Sequence, residues 1–121
     1  MEIKKNSQSC EDYLETILLL EKEVDCVHRI EIAKQMGVSQ AAVNKAVKLL
    51  IERGQVCEDG KHLRLTDEGK AYASSVYERH CLIRSFLEKL GVSEDTAEKD
   101  ACALEHLVSE ETVERIKKFM Q

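Results

Sequence analysis

No proline interrupts this chain, tryptophan is absent, and only five of its 121 residues are glycine. With so few helix breakers and 34% of residues charged, the composition is that of a mostly helical protein. No stretch approaches the roughly 18 apolar residues of a membrane span, and Met1-Glu2-Ile3-Lys4-Lys5 leads into no signal-peptide core. A cytoplasmic protein without membrane contact is expected. Pairs of the form C-x-x-C are also missing, and the five cysteines, Cys10, Cys26, Cys57, Cys81 and Cys102, are odd in number. That pattern argues against a disulfide framework or a zinc ribbon, and points to reduced thiols, mostly used in packing. The net charge of −5 argues against a chain held constantly on nucleic acid by bulk charge. It leaves room for one whose basic residues are local, or whose acids are neutralised by cations.

What is present centres on Cys102-Ala103-Leu104-Glu105-His106, in a helix predicted between Ser93 and Val108. At about 3.6 residues per turn, Cys102, Glu105 and His106 project from one face. A thiolate, a carboxylate and an imidazole make half a metal site, and a transition metal needs further donors from elsewhere. The apolar stripe of the same helix, Ala97, Ala101, Leu104 and Val108, points away from these three, so both sides need cover.

At the start of the chain, Ser9 is placed to cap a helix that runs through Leu14, Ile17, Leu18 and Leu20 to about Glu23. Asp12 and Glu15 share a face with Leu19, which suggests that something covers these carboxylates. From Arg29 a short helix carries Ile32, Ala33 and Met36, Gly37 ends it, and Ser39 caps a second running to about Arg53. Val43, Ala46, Val47 and Leu50 form an apolar stripe on the second, while Gln40, Asn44, Lys45 and Lys48 occupy its other face. This pair reads as a helix-turn-helix whose second helix enters a DNA major groove. Two short runs around Asp59-Gly60 then predict a hairpin with Leu63 and Leu65 on one side, and His62 and Arg64 on the other. Helix, turn, helix and hairpin describe a winged helix, and between Gln40 and Arg64 five Lys or Arg face three acids.

Thr66 caps a long helix predicted through Leu90, with Ala73, Val76, Tyr77, His80, Ile83, Leu87 and Leu90 as one stripe. A lone histidine on an apolar face is ordinarily a core residue unless other ligands converge on it. Ser109 starts a last helix through Val113, Ile116 and Phe119. The expected fold is mainly α with a small β-hairpin wing: a winged helix-turn-helix domain over 1–70 and a helical metal-binding and dimerisation domain over 71–121. An enzyme with Cys102 as nucleophile and His106 as base is disfavoured, because no glycine-rich turn offers an oxyanion hole and the thiol sits mid-helix. Two rivals share the winged helix: a metal-independent regulator that senses a small molecule with His80 in its core, and a protein with a structural zinc site on Cys102 and His106.

Taken in order, Glu11-Asp12-Tyr13-Leu14-Glu15-Thr16-Ile17, the winged helix, His80 and Cys102-x-x-Glu105-His106 resemble the diphtheria-toxin-repressor family of metal-dependent transcriptional regulators. The resemblance covers nearly the whole chain. It implies a cytoplasmic homodimer that binds palindromic operator DNA when loaded with Mn(II) or Fe(II), with two ions per subunit, and represses metal-uptake genes. Asp12, Glu15, His80, Glu105 and His106 match five of the six ligand positions of the manganese branch. The sixth, Cys102, matches the iron branch. That branch typically has Met at the position of Asp12 and no carboxylate at that of Glu15. It also uses a Glu where this chain has Arg84, and residues of a C-terminal SH3-like domain. With the chain ending at Gln121, that ancillary site is expected to be incomplete. The single thiolate raises relative affinity for Fe(II), Co(II) or Zn(II), so Zn(II) or Co(II) can bind in vitro. The resemblance also places Ser39, Ala41, Asn44 and Lys45 near DNA. Lys45 and Lys48 are the candidates for phosphate or base contact, and Ser39 and Gln40 for backbone contact.

Overall fold

The computed structural model describes residues 5–121, with side chains from Cys10 onward. Its elements are α1 (Lys5–Glu23), α2 (Arg29–Met36), α3 (Gln40–Glu52), β1 (Val56–Asp59), β2 (His62–Leu65), α4 (Asp67–Lys89), α5 (Glu94–Leu104) and α6 (Glu110–Met120). They divide into two compact units, the boundary falling within α4 after Ser74. Among the described residues, no helix is long and apolar enough to cross a membrane.

In the first unit, α1 buries Cys10, Tyr13, Leu14, Ile17, Leu18 and Leu20, a helical stripe that packs on α2, α3 and β2. The helix begins at Lys5, so Ser9 lies inside it and does not cap it. Neither Pro nor Gly stands between Lys5 and Ser9 to stop helix propagation, and the Ser9 side chain is outside the described ones. Gly37 turns the chain at the end of α2 with φ 68° and ψ 36°, a left-handed conformation that a Cβ disfavours. Two residues later Ser39 accepts the Ala42 N–H at 3.1 Å and starts α3. Val43, Val47 and Leu50 of α3 are fully buried.

β1 and β2 pair antiparallel from Val56↔Leu65 to Asp59↔His62, so the two-residue loop is Gly60-Lys61, one position beyond Asp59-Gly60. Alternation drives Leu63 and Leu65 into the core and leaves Arg64 exposed. The wing is tied down twice: Leu65 N–H donates to Glu21 Oε2 on α1 at 3.1 Å, and Val27 forms an isolated bridge with Leu63. Thr66 accepts the Gly69 N–H at 3.0 Å and starts α4, as its position predicted. Gly69 is fixed by close approach, since a Cβ there would stand 1.9 Å from the Gln55 carbonyl oxygen. Alanine normally stabilises a helix interior, but Gly69→Ala is expected to cost about 1–3 kcal/mol here. Thermal unfolding by circular dichroism checks the sign: a rise in Tm would contradict this packing.

In the second unit, Val76, His80 and Ile83 of α4 are buried and Tyr77 and Leu87 half-buried. Leu90 departs from the predicted stripe: it lies past the last helical residue, Lys89, and is 62% exposed. Ser93 caps α5 by accepting the Thr96 N–H, and Ala97 and Ala101 bury its inner face. α5 ends at Leu104, short of the predicted Val108, and Ser109 adopts an extended ψ of 161° to cap α6. The intervening turn tightens through Leu107 N–H to the Leu104 carbonyl at 3.0 Å. α6 has no fully buried residue, and its Phe119 meets Phe86 edge-on with ring centroids 5.8 Å apart.

Candidate metal centre

Within the second unit, α4 supplies His80, the last turn of α5 supplies Cys102, and the turn that follows supplies Glu105 and His106. His80 and His106 flank the Glu105 carboxylate, and Cys102 approaches His80. Glu105 Oε1 lies 3.5 Å from His80 Nδ1 and 3.8 Å from His106 Nε2, and Cys102 Sγ lies 3.9 Å from His80 Nδ1. Arg79 fixes the turn itself, donating from Nη1 to the Glu105 carbonyl at 3.1 Å while Nη2 pairs with Glu110 at the start of α6.

Glu105 is only 2% exposed, and its Oε2 has no hydrogen-bond partner among the described residues. A buried carboxylate oxygen without a donor is costly, and a cation is the partner that satisfies it. His80, 4% exposed, stacks on Tyr77 with the rings 9° from parallel. The carboxylate of Glu105, acting against the opposing effect of burial and aided by Glu98, pushes the His80 pKa up to about 9. The metal-free site therefore holds one proton where a divalent ion would place its charge. The nitrogen, oxygen and sulfur donors present fit Mn(II), Fe(II), Co(II) or Zn(II). Cys102 sits near the negative end of α5, where a thiolate needs a cation beside it.

Asp12 and Glu15 belong to the first unit, half-buried on α1 three residues apart. On α3 the side chains of Ser39, Gln40, Ala41, Asn44, Lys45 and Lys48 are all exposed, opposite the buried Val43, Val47 and Leu50. Sequence reasoning passed over Glu98, whose carboxylate reaches His80 Nε2 at 2.9 Å and Arg84 Nη1 at 3.2 Å. Burial opposes its ionisation, but the His80 hydrogen bond and charge, with help from Arg84, hold its pKa below the usual value. The signal was available: Glu98 precedes Cys102 by four residues and so shares its helix face.

Residues 5–62 match the family model described as iron dependent repressor, N-terminal DNA binding domain, and residues 66–121 match that of the iron dependent repressor metal binding and dimerisation domain. An HTH-type transcriptional regulator of Methanocaldococcus jannaschii is 41% identical over 118 residues, covering 95% of this chain and 94% of the relative. The transcriptional regulator MntR of Escherichia coli is 38% identical over 112 residues, covering 92% and 72%. The structure of the manganese regulator SloR superposes with a TM-score of 0.82 at 38% identity, covering 92% of this chain and 53% of that one. The chain thus spans about half the length of that solved structure. With both family domains present in order along a winged helix and a histidine, cysteine and carboxylate cluster, the chain belongs to the diphtheria-toxin-repressor family, whose members are metal-dependent transcriptional regulators and not enzymes.

Proposed function

We propose that this protein is a metal-dependent transcriptional repressor that binds operator DNA as a homodimer and controls metal-uptake genes in the cytoplasm. The observation that carries this reading is the buried Glu105 carboxylate, one oxygen unpartnered among the described residues, beside His80 and His106, with Cys102 against His80. In this reading residues 1–70 bind DNA, and residues 71–121 bind metal and dimerise. Asp12 and Glu15 complete the ligand set, as their match to the manganese branch suggests. Two ions of Mn(II) or Fe(II) per subunit are proposed, as the resemblance to the manganese branch implies. When bound, the ions supply positive charge and coordination bonds that hold these donors in one arrangement. Without metal the negative charges of this proposed ligand set go uncompensated, and the DNA-reading helices lose the fixed separation that half-sites roughly 34 Å apart demand. Metal and DNA then raise each other's affinity by the same factor. The exposed Leu107 and Phe119 of the second unit favour dimerisation there.

The test is titration of Mn(II), Fe(II) and Zn(II) into wild type and a Glu105→Ala, His106→Ala double variant, with anisotropy of a duplex selected by the loaded protein as readout. Equal metal-dependent DNA binding by both would end this reading. In the same assay, Lys48→Ala is expected to weaken binding to all duplexes and to reduce the slope of log affinity against log salt by about one unit. An unchanged slope removes Lys48 from the phosphate contacts.

A further inference from the structure

Glu98 stands outside the ligand set, yet both its oxygens are engaged. They lie 2.9 and 3.1 Å from His80 Nε2, and Oε1 also receives Arg84 Nη1 at 3.2 Å. The other ring nitrogen meets different partners: Nδ1 faces Glu105 Oε1 at 3.5 Å and Cys102 Sγ at 3.9 Å. A carboxylate accepts hydrogen bonds and does not donate, so in the metal-free site both ring nitrogens carry protons; Glu98 holds Nε2 at 2.9 Å, closer than Glu105 holds Nδ1 at 3.5 Å, and the Nδ1 proton is the one a cation displaces. The neutral imidazole then turns its lone pair at Nδ1 towards the thiol and the buried carboxylate.

We propose that Glu98 is a positioning residue of the metal centre, holding the Nε2 proton of His80 while Arg84 fixes its carboxylate, so that Nδ1 is the nitrogen offered to a divalent cation. The inference rests on the metal reading above. A carboxylate behind a ligand imidazole sets its tautomer and ring orientation, and losing one typically lowers metal affinity about 10–100-fold. The competing arrangement makes Glu98 itself a ligand, since one donor atom each from His80, Glu98 and Cys102 lies within 4.8 Å of the others. Its engagement by His80 and Arg84, with the Cys102 thiol also donating to its Oε2 at 3.6 Å, and its 47% exposed side chain against the near-complete burial of Glu105, favour the positioning role.

Zn(II), which is diamagnetic, serves as the probe for the full chain. Affinity is read by competition with a chromophoric chelator. The His80 tautomer is read by long-range 15N–1H correlation on histidine-labelled protein. In loaded wild type the proton is expected on Nε2 and the metal on Nδ1. Glu98→Ala is expected to weaken Zn(II) binding about 10–100-fold. Glu98→Gln, whose amide oxygen still accepts from Nε2, is expected to keep most of the affinity and the same tautomer. A Glu98→Ala protein that binds as tightly as wild type overturns the proposal. So does a loaded wild type lacking the Nε2 proton with Glu98→Gln as weak as Glu98→Ala, the signature of a direct ligand. Wild type that takes up no divalent metal removes the metal reading, and this inference with it.

Discussion

Glu105→Ala is expected to remove metal-induced stabilisation while leaving the metal-free protein folded. Wild type should gain stability with Mn(II) as occupancy rises, by about 2.7 kcal/mol when free metal is a hundred times Kd. The alanine variant loses the carboxylate that His80 and His106 flank, and its affinity should fall by more than about 100-fold, beyond the loss of an outer partner. At the same metal concentration its Tm should scarcely move. Without metal, two effects of the substitution oppose each other. It removes a buried oxygen that has no donor among the described residues, and it deprives His80 of one of its two carboxylates. The metal-free variant should therefore unfold within about 1–2 kcal/mol of wild type in urea. A variant that responds to Mn(II) as wild type does would show that Glu105 holds no ion.

The second large effect is one of pH, with opposite signs for the metal-free and loaded protein. In the folded metal-free protein His80 titrates at about 9, against 6.5 for an unperturbed histidine, because Glu105 and Glu98 favour its charged form. A pKa raised on folding contributes its full stabilisation below the unfolded value, and that contribution is lost as pH rises through the folded value. Metal-free stability should therefore decline between about pH 6.5 and 9, by on the order of 3 kcal/mol. Metal affinity should climb over the same interval, because the proton competing for His80 leaves. Urea unfolding in chelator across this range measures the first trend, with His80→Gln as the control that lacks this decline. Calorimetric metal titration in buffers of different ionisation enthalpy measures the protons released. Equal declines in wild type and His80→Gln, with no proton release, would contradict the pairing of His80 with these carboxylates.

Much of this architecture is legible in the sequence because it rests on local rules. The stripe of Val43, Val47 and Leu50 follows from helical period, and the wing from alternation around a glycine turn. Ser39, Ser93 and Ser109 each accept an N–H three residues on, the capping that their positions suggest. Other features depend on tertiary approach. The Val27–Leu63 bridge is a single pair with no period to betray it, and the closeness of Gly69 to Gln55 exists only once β1 and α4 have formed. α5 ends at Leu104, where Arg79 of α4 donates to the Glu105 carbonyl, a tertiary contact that the apolar stripe does not announce.

The candidate centre divides the same way. The spacing of Cys102, Glu105 and His106 predicts one shared face, but the helix gives way to a turn beneath the last two, and Glu105 is buried, as Ala97 and Ala101 are, while Cys102 stays exposed. His80 looked like a core histidine, and buried it is; only its distances to Glu98, Glu105 and Cys102 distinguish it. Glu98 went unread in the sequence, and the link between it, Arg84 and His80 exists only once α4 and α5 pack together.

The central claim is that divalent metal is held by the buried carboxylate of Glu105 and its neighbours. Anomalous scattering from crystals grown with Mn(II), recorded above and below the manganese edge, tests it most directly. The expected result is manganese bound by Glu105 together with His80, Cys102 or His106. Manganese found only at exposed acidic side chains, with none at Glu105, would contradict the claim.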